Sequence, residues 1–245
     1  MTARSICQEY GVGLYYSGEG HAISAPWNYK LGSHRACLFA DGFSQQAVQS
    51  IGAGASNPPT ANSAAHIVQG IAKAGLGVMT GDLGNNQWGN ATGISRMGSL
   101  HTYAKSRIYN SNTVVLAGVS MGAANVLNWA KANPTYPAAI ALFCPALDMQ
   151  DIWDNDRANL KAWITAAYGG RPPDASNPAD NAASFSSIPI CIWYSSTDTV
   201  ILPAIVEAFA AAVGSNVELR DLGTGGHDVS PVDGLEAGKW LKRYI

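Results

Sequence analysis

Short, nearly uninterrupted apolar runs recur along the chain at Ala36–Ala40, Gly77–Thr80, Thr113–Val119, Ala138–Phe143, Ile188–Tyr194 and Asn216–Leu222. Between them lie segments with apolar residues at helical spacing: Ala64–Ala74, roughly Ile94–Ser106, Met121–Ala132, Leu202–Val213 and a last one around Leu235–Tyr244. Strands that are apolar on both faces need cover on both faces. Their alternation with amphipathic helices predicts an α/β fold with a mostly parallel sheet between two helical layers. GVGLYYSG and HAISAPWNY predict an earlier pair of strands. The rhythm breaks between Ala146 and Ile188, where DIWDNDRANLKAWITAAYGG brings Ile152, Trp153, Leu160, Trp163 and Ile164 near one helical face. This predicts a helical insertion over about 148–186 above the sheet edge, within one domain spanning 1–245.

Composition narrows the class. The chain has 245 residues, 47% hydrophobic and only 13% charged, enough to bury roughly three quarters of its unfolded surface in its own core. A formal charge of −2 with Lys and Arg dispersed offers no footprint for nucleic acid. No apolar stretch reaches the length of a membrane span. The start, MTARSICQEYGVG, lacks the basic and apolar regions of a signal peptide, so a soluble protein made in the cytoplasm is expected. Cys37, Cys144 and Cys191 fall in or beside apolar runs, as buried thiols do, and with Cys7 they show no metal-binding spacing. GVGLYYSG and GLGVMTG lack the spacing that dinucleotide binding requires. Asn90-Ala91-Thr92 is a glycosylation sequon by pattern alone. Gln49–Ser63 reads as a surface loop.

The chemistry concentrates at LAGVSMGAANVL, where Ser120 stands between Gly118 and Gly122 as a strand gives way to a helix. A turn that sharp strains the serine backbone and excludes side chains at the flanking positions, so the hydroxyl stands exposed beside a helix amino terminus. A serine nucleophile needs a base, held in the right tautomer by an acid. His66 and His101 fall in predicted helices, and His21 and His34 precede the core sheet. His227, in DLGTGGHDVS, follows the last strand and is the candidate base. Asp198, just beyond a buried strand in SSTDTV, is the favoured acid. Asp148 in CPALDMQD competes, although it and Asp151 also suit the first turn of the insertion helix. Asp228 reads as a loop solvator.

GVSMG, Asp198 in SSTDTV and His227 in GGHD resemble the triad of the α/β-hydrolase superfamily, over about residues 35 to 245. The resemblance implies an eight-stranded, mostly parallel sheet, esterase- or lipase-like acyl-enzyme chemistry and no cofactor. It leaves the substrate open. Where many relatives carry His-Gly, this chain reads LFADGFSQQ, with Asp41 in the histidine's place. The oxyanion hole implied is the amide of Phe43 with that of Met121, Ser44 being an alternative donor. Trp88, Trp153 and Trp163 are candidate walls of a substrate pocket; the last two equally suit packing of the insertion onto the sheet. GDLGNNQWGN, DMQDIWDNDRANLKAWITAAYGG and SNPADNAA resemble segments of α/β-hydrolase-like proteins encoded among tail genes of actinobacterial phages. That likeness implies a place on a virion or near a host envelope rich in lipid esters. The expected partner is a small-molecule or lipid ester. The contrasting expectation is a catalytically weak binding protein of the same fold, for instance one recognising host-envelope lipid or glycan. Amide or peptide hydrolysis is a third.

Overall fold

The computed structural model describes residues 12–17, 21–26, 36–42, 64–81, 83, 86–107 and 112–245. Its strands are β1 (Val12–Ser17), β2 (His21–Pro26), β3 (Ala36–Ala40), β4 (Gly77–Gly81), β5 (Val114–Val119), β6 (Pro137–Phe143), β7 (Ile190–Tyr194) and β8 (Val217–Asp221). The helices are α1 (Ala65–Lys73), α2 (Ala91–Arg107), α3 (Met121–Ala132), α4 (Met149–Asp154), α5 (Lys161–Tyr168), α6 (Pro203–Val213) and α7 (Gly234–Leu241).

One sheet runs in the order β1-β2-β4-β3-β5-β6-β7-β8. From β4 to β8 every neighbouring pair is parallel, while β2 pairs antiparallel with both β1 and β4. The mostly parallel α/β architecture agrees with the alternation in the sequence. Each residue of β3 and β5 is buried, and alternate side chains divide between two cores. Leu38, Leu116, Ile140 and Ile190 join one, with Leu127 of α3 and Phe209 of α6. Phe39, Val115, Phe143 and Trp193 join the other, with Ile67 of α1 and Trp240 of α7.

The order of the strands positions the site. The chain steps from β3 outward to β4, then crosses back to β5 on the other side of β3. The loops leaving β3 and β5 therefore diverge at the carboxyl edge and open a crevice, the usual ligand site of such sheets. Asp41–Gly42 leaves β3 into this crevice and Ser120 leaves β5 into it.

The insertion departs from expectation. Asp156, Ala158 and Asn159 take positive φ values of 45°, 51° and 58°, which interrupt the helical pattern and split it into α4 and α5. Two polar contacts fix the break: Arg157 pairs with Asp151, and Asp156 Oδ1 accepts from the Lys161 amide at 2.9 Å. The five apolar positions consequently do not form one face. Ile152 and Ile164 are buried and Trp163 is 50% exposed.

Candidate active site

Ser120 has φ 48° and ψ −118°, a region a non-glycine residue enters only when its surroundings hold it there. Three backbone bonds do so. Its amide donates to Phe143 O at 2.9 Å, and its carbonyl accepts from Ala123 N at 3.0 Å and Ala146 N at 2.9 Å. The flanking glycines are steric necessities. A Cβ on Gly122 would lie 2.3 Å from Ala40 O and 2.4 Å from Asp41 O; one on Gly118 would lie 2.9 Å from Ala123 Cα. The start of α3 is thereby pressed against the end of β3.

With its backbone satisfied, Ser120 presents Oγ 3.0 Å from His227 Nε2. His227 Nδ1 lies 2.7 Å from Asp198 Oδ2. The other carboxylate oxygen, Oδ1, accepts from the amides of Val200 at 2.8 Å and Ile201 at 2.9 Å. Asp198 is 3% exposed, so a carboxylate taken out of water is met by three donors. Ser195, at the end of β7 and fully buried, ties the two loops together. Its Oγ donates to Gly223 O at 2.6 Å and accepts from Gly226 N at 3.1 Å. Sequence reasoning passed over Ser195, because nothing local distinguishes it from Ser196 beside it.

The competing acids are placed elsewhere. Asp148 Oδ1 accepts from Gln150 N, Asp151 N and Asn177 Nδ2 at 3.0–3.1 Å, as the N-cap of α4. Asp228 turns to Ser230, bonding its hydroxyl and its amide. Burial presses the Asp228 carboxyl upward, but these bonds, with the imidazoles of His66 and His227 nearby, hold it below the ordinary carboxylate range. His66 Nε2 lies 3.1 Å from Val229 O, and His101 stacks on Tyr136 with ring centroids 4.8 Å apart.

Phe43 and Ser44 lie outside the described residues. Next to them, Gly42 N donates to Asp41 Oδ1 at 2.8 Å, so the Gly42 amide is already engaged. Met121, first in α3, is 2% exposed, and the first amides of a helix have no acceptor within it.

A cavity of about 250 Å³ opens on Ser120, lined by Asp41, Gly42, Trp88, Val119, Ala158, Leu160, Val200, His227 and Val229. Of the three tryptophans proposed as walls, only Trp88 is among them. The insertion supplies Ala158 and Leu160 instead, because the break before α5 turns these toward the crevice. The Trp153 indole donates to Thr165 Oγ1 at 2.8 Å, with the Lys161 ammonium 3.9 Å above its ring, and Trp163 faces out.

Cys144, just past β6, brings its Sγ within 4.8 Å of the Asp198 and His227 ligand atoms. Burial, aided by the charges of Asp198 and Asp228, pushes the thiol up to about 12. Its Sγ donates to Asp228 O at 3.6 Å, and His227 Nδ1 is bonded to Asp198. A neutral thiol is thus packed beside the His227–Asp198 pair, a juxtaposition that sequence spacing could not reveal. Among the described residues, no helix is long and apolar enough to cross a membrane.

No known protein family and no curated protein matches the sequence. Solved structures do match. An S-formylglutathione hydrolase from Agrobacterium tumefaciens aligns over 100% of both chains with TM-score 0.69 and 14% identity. Est1E from Butyrivibrio proteoclasticus, solved with ferulic acid, aligns over 96% of both chains with TM-score 0.67 and 15% identity. An esterase of the bacterial hormone-sensitive lipase family aligns over 98% of this chain and 87% of its own, with TM-score 0.69 and 16% identity. At these identities the likeness establishes the α/β-hydrolase fold.

Proposed function

We propose that this protein is a serine hydrolase cleaving carboxylic esters through an acyl-enzyme. The observation that carries the reading is the unbroken line from Ser120 Oγ to His227 Nε2 at 3.0 Å and from Nδ1 to Asp198 Oδ2 at 2.7 Å. His227 takes the hydroxyl proton as Ser120 attacks the carbonyl carbon, then gives it to the departing alcohol. Asp198 holds the Nδ1–H tautomer and stabilises the imidazolium. Water deprotonated by His227 releases the acid and restores Ser120. Negative charge on the tetrahedral carbonyl oxygen is met by the Met121 amide at the start of α3 and by the Phe43 amide beyond Gly42. The Gly42 amide, bonded to Asp41, is left out of that role. The matching structures include esterases and another hydrolase, which supports ester hydrolysis over a binding role.

The test is Ser120→Ala with an aryl ester and a fluorophosphonate probe. Turnover is expected to fall by roughly 10³–10⁶-fold with the fold intact, and labelling to be lost. Hydrolysis that survives the substitution removes Ser120 from the mechanism. Wild-type protein that neither labels nor turns over esters is a binder with this fold.

A further inference from the structure

We propose that the ester taken by this site carries a short, uncharged acyl chain, its length limited by Trp88 as a rigid wall. Asn125, Asn128 and Tyr168 are the positioning residues that hold that wall. The inference rests on the hydrolase reading above.

Trp88 is 1% exposed and has φ 49°; Gly89 follows with φ 76°. The turn is fastened to α3, the helix that starts at the nucleophile. Gly89 N donates to Asn125 Oδ1 at 2.8 Å, and Gly89 O accepts from Asn128 Nδ2 at 2.9 Å. Both asparagines are at most 1% exposed. There is no slack between turn and helix: a Cβ on Gly89 would lie 2.5 Å from Asn128 Nδ2 and 2.7 Å from Ala124 O. From the other side α5 grips the same turn. Tyr168 OH donates to Trp88 O at 2.6 Å, while Asn86 Nδ2 and Asn90 Nδ2 donate to Trp163 O and Ala167 O. Burial holds the Tyr168 phenol well above its ordinary range, so it remains a donor.

Displacing the Trp88–Gly89 turn would take the donor from the buried Asn125 Oδ1 and one of two acceptors from Asn128 Nδ2, whose other is Ser176 O at 2.7 Å. Leaving a buried acceptor unmet costs more than most apolar contacts return. The wall therefore does not yield to a longer chain. Since Ser120 and both asparagines belong to one helical unit, the nucleophile and the wall share a fixed spacing. A volume of about 250 Å³ holds about eight water-sized groups at roughly 30 Å³ each. The ester carbon and its two oxygens at Ser120 take three of these, and about five carbons remain. Among the described residues lining the cavity, the one carboxylate is that of Asp41, which disfavours an anionic chain. The acyl half is the one confined, because it stays bonded to Ser120 until water releases it, whereas the protonated alcohol departs first.

The experiment measures kcat/KM for aryl esters from acetyl to dodecanoyl with one leaving group, alongside acetyl esters of alcohols of increasing length. The expected profile peaks at or below hexanoyl and falls by about tenfold or more at dodecanoyl. Trp88→Ala should raise the octanoyl-to-acetyl ratio by about tenfold or more. Tyr168→Phe, which keeps the ring and removes one hydrogen bond, should move the same ratio the same way by a smaller factor. General damage to the fold lowers all esters together and leaves the ratio alone. If Trp88→Ala does not fold, Tyr168→Phe decides. A wild-type profile that is flat or rises to dodecanoyl, a rate that follows alcohol length instead, or an unchanged ratio in the folded variants overturns the ruler while leaving the hydrolase standing. Absence of hydrolysis at every length, with no fluorophosphonate adduct, overturns both.

Discussion

Replacing Gly122 by alanine isolates the packing that places Ser120. The new methyl would lie 2.3 Å from Ala40 O, 2.4 Å from Asp41 O and 2.6 Å from Ala40 C. All three are backbone atoms of β3 and the turn after it, so no side chain can swing aside. Restoring ordinary contact requires α3 and β3 to separate by about 1 Å, and such overpacking costs about 1–3 kcal/mol. At about 2–4 °C per kcal/mol for a chain of this size, the melting temperature should fall by about 2–12 °C. Activity should suffer more. The displaced segment carries Ser120 and Met121, and a 1 Å error in a reacting group can cost about 10²-fold in rate. Gly170→Ala is the control, since nothing lies within 4 Å of its added methyl; it should stay within about 0.5 kcal/mol of wild type. The assay is kcat/KM on an acetyl aryl ester beside a thermal melt. A Gly122→Ala protein with wild-type melting temperature and kcat/KM within twofold would refute the close-approach explanation of the second glycine.

The two acids that flank the sheet should separate cleanly. Asp198→Asn should lower kcat by about 10⁴-fold while keeping the fold, because the amide cannot hold the productive tautomer, whereas Asp148→Ala should cost about 1 kcal/mol through loss of the α4 cap and leave kcat near wild type; paired kinetics and melts tell them apart, and the opposite pattern would transfer the role to Asp148. His101 supplies a pH dependence of stability. Burial lowers its pKa, opposed by its bond to Asn112 O and aided by the Lys105 charge, so the unfolded chain takes up the proton first as pH falls. Its stabilisation is present above the unfolded value of about 6.5 and is lost as pH drops through the lower folded value. His101→Phe, which keeps a ring against Tyr136, should narrow the difference in melting temperature between pH 7 and pH 5; an unchanged difference would assign the acid sensitivity to other groups.

Much of the molecule is legible in the residues. Strands β3 to β8 and helices α1, α2, α3, α6 and α7 follow from periodicity, since local spacing decides which faces a segment can bury. Helix α3, expected over Met121–Ala132, is observed over the same residues. The serine between two glycines is likewise a local signal, because the collision that demands those glycines arises within a strand–turn–helix unit and its immediate neighbour. The insertion was less legible. Its apolar residues fit one helical face, but three left-handed residues and the Arg157–Asp151 pair divert the chain, so Leu160 reaches the crevice and Trp163 faces water.

What the sequence by itself determined is the set of elements and the chemical types available at their ends: a strained serine, a loop histidine, and carboxylates after two different strands. Which of those groups meet was decided only by the tertiary structure. Ser120 and His227 are 107 residues apart, and no local pattern carries the strand order that brings their loops to one edge. The same order sends Asp148 to cap a helix and Asp198 to a histidine, although each follows a buried strand. It also brings Trp88 rather than the insertion's tryptophans to the cavity, fastened by asparagines on the helix that Ser120 begins. Periodicity acts over a few residues and writes each element into its own segment. A site built from loop ends depends on how the elements are ordered in space, and that ordering emerges only when they pack together.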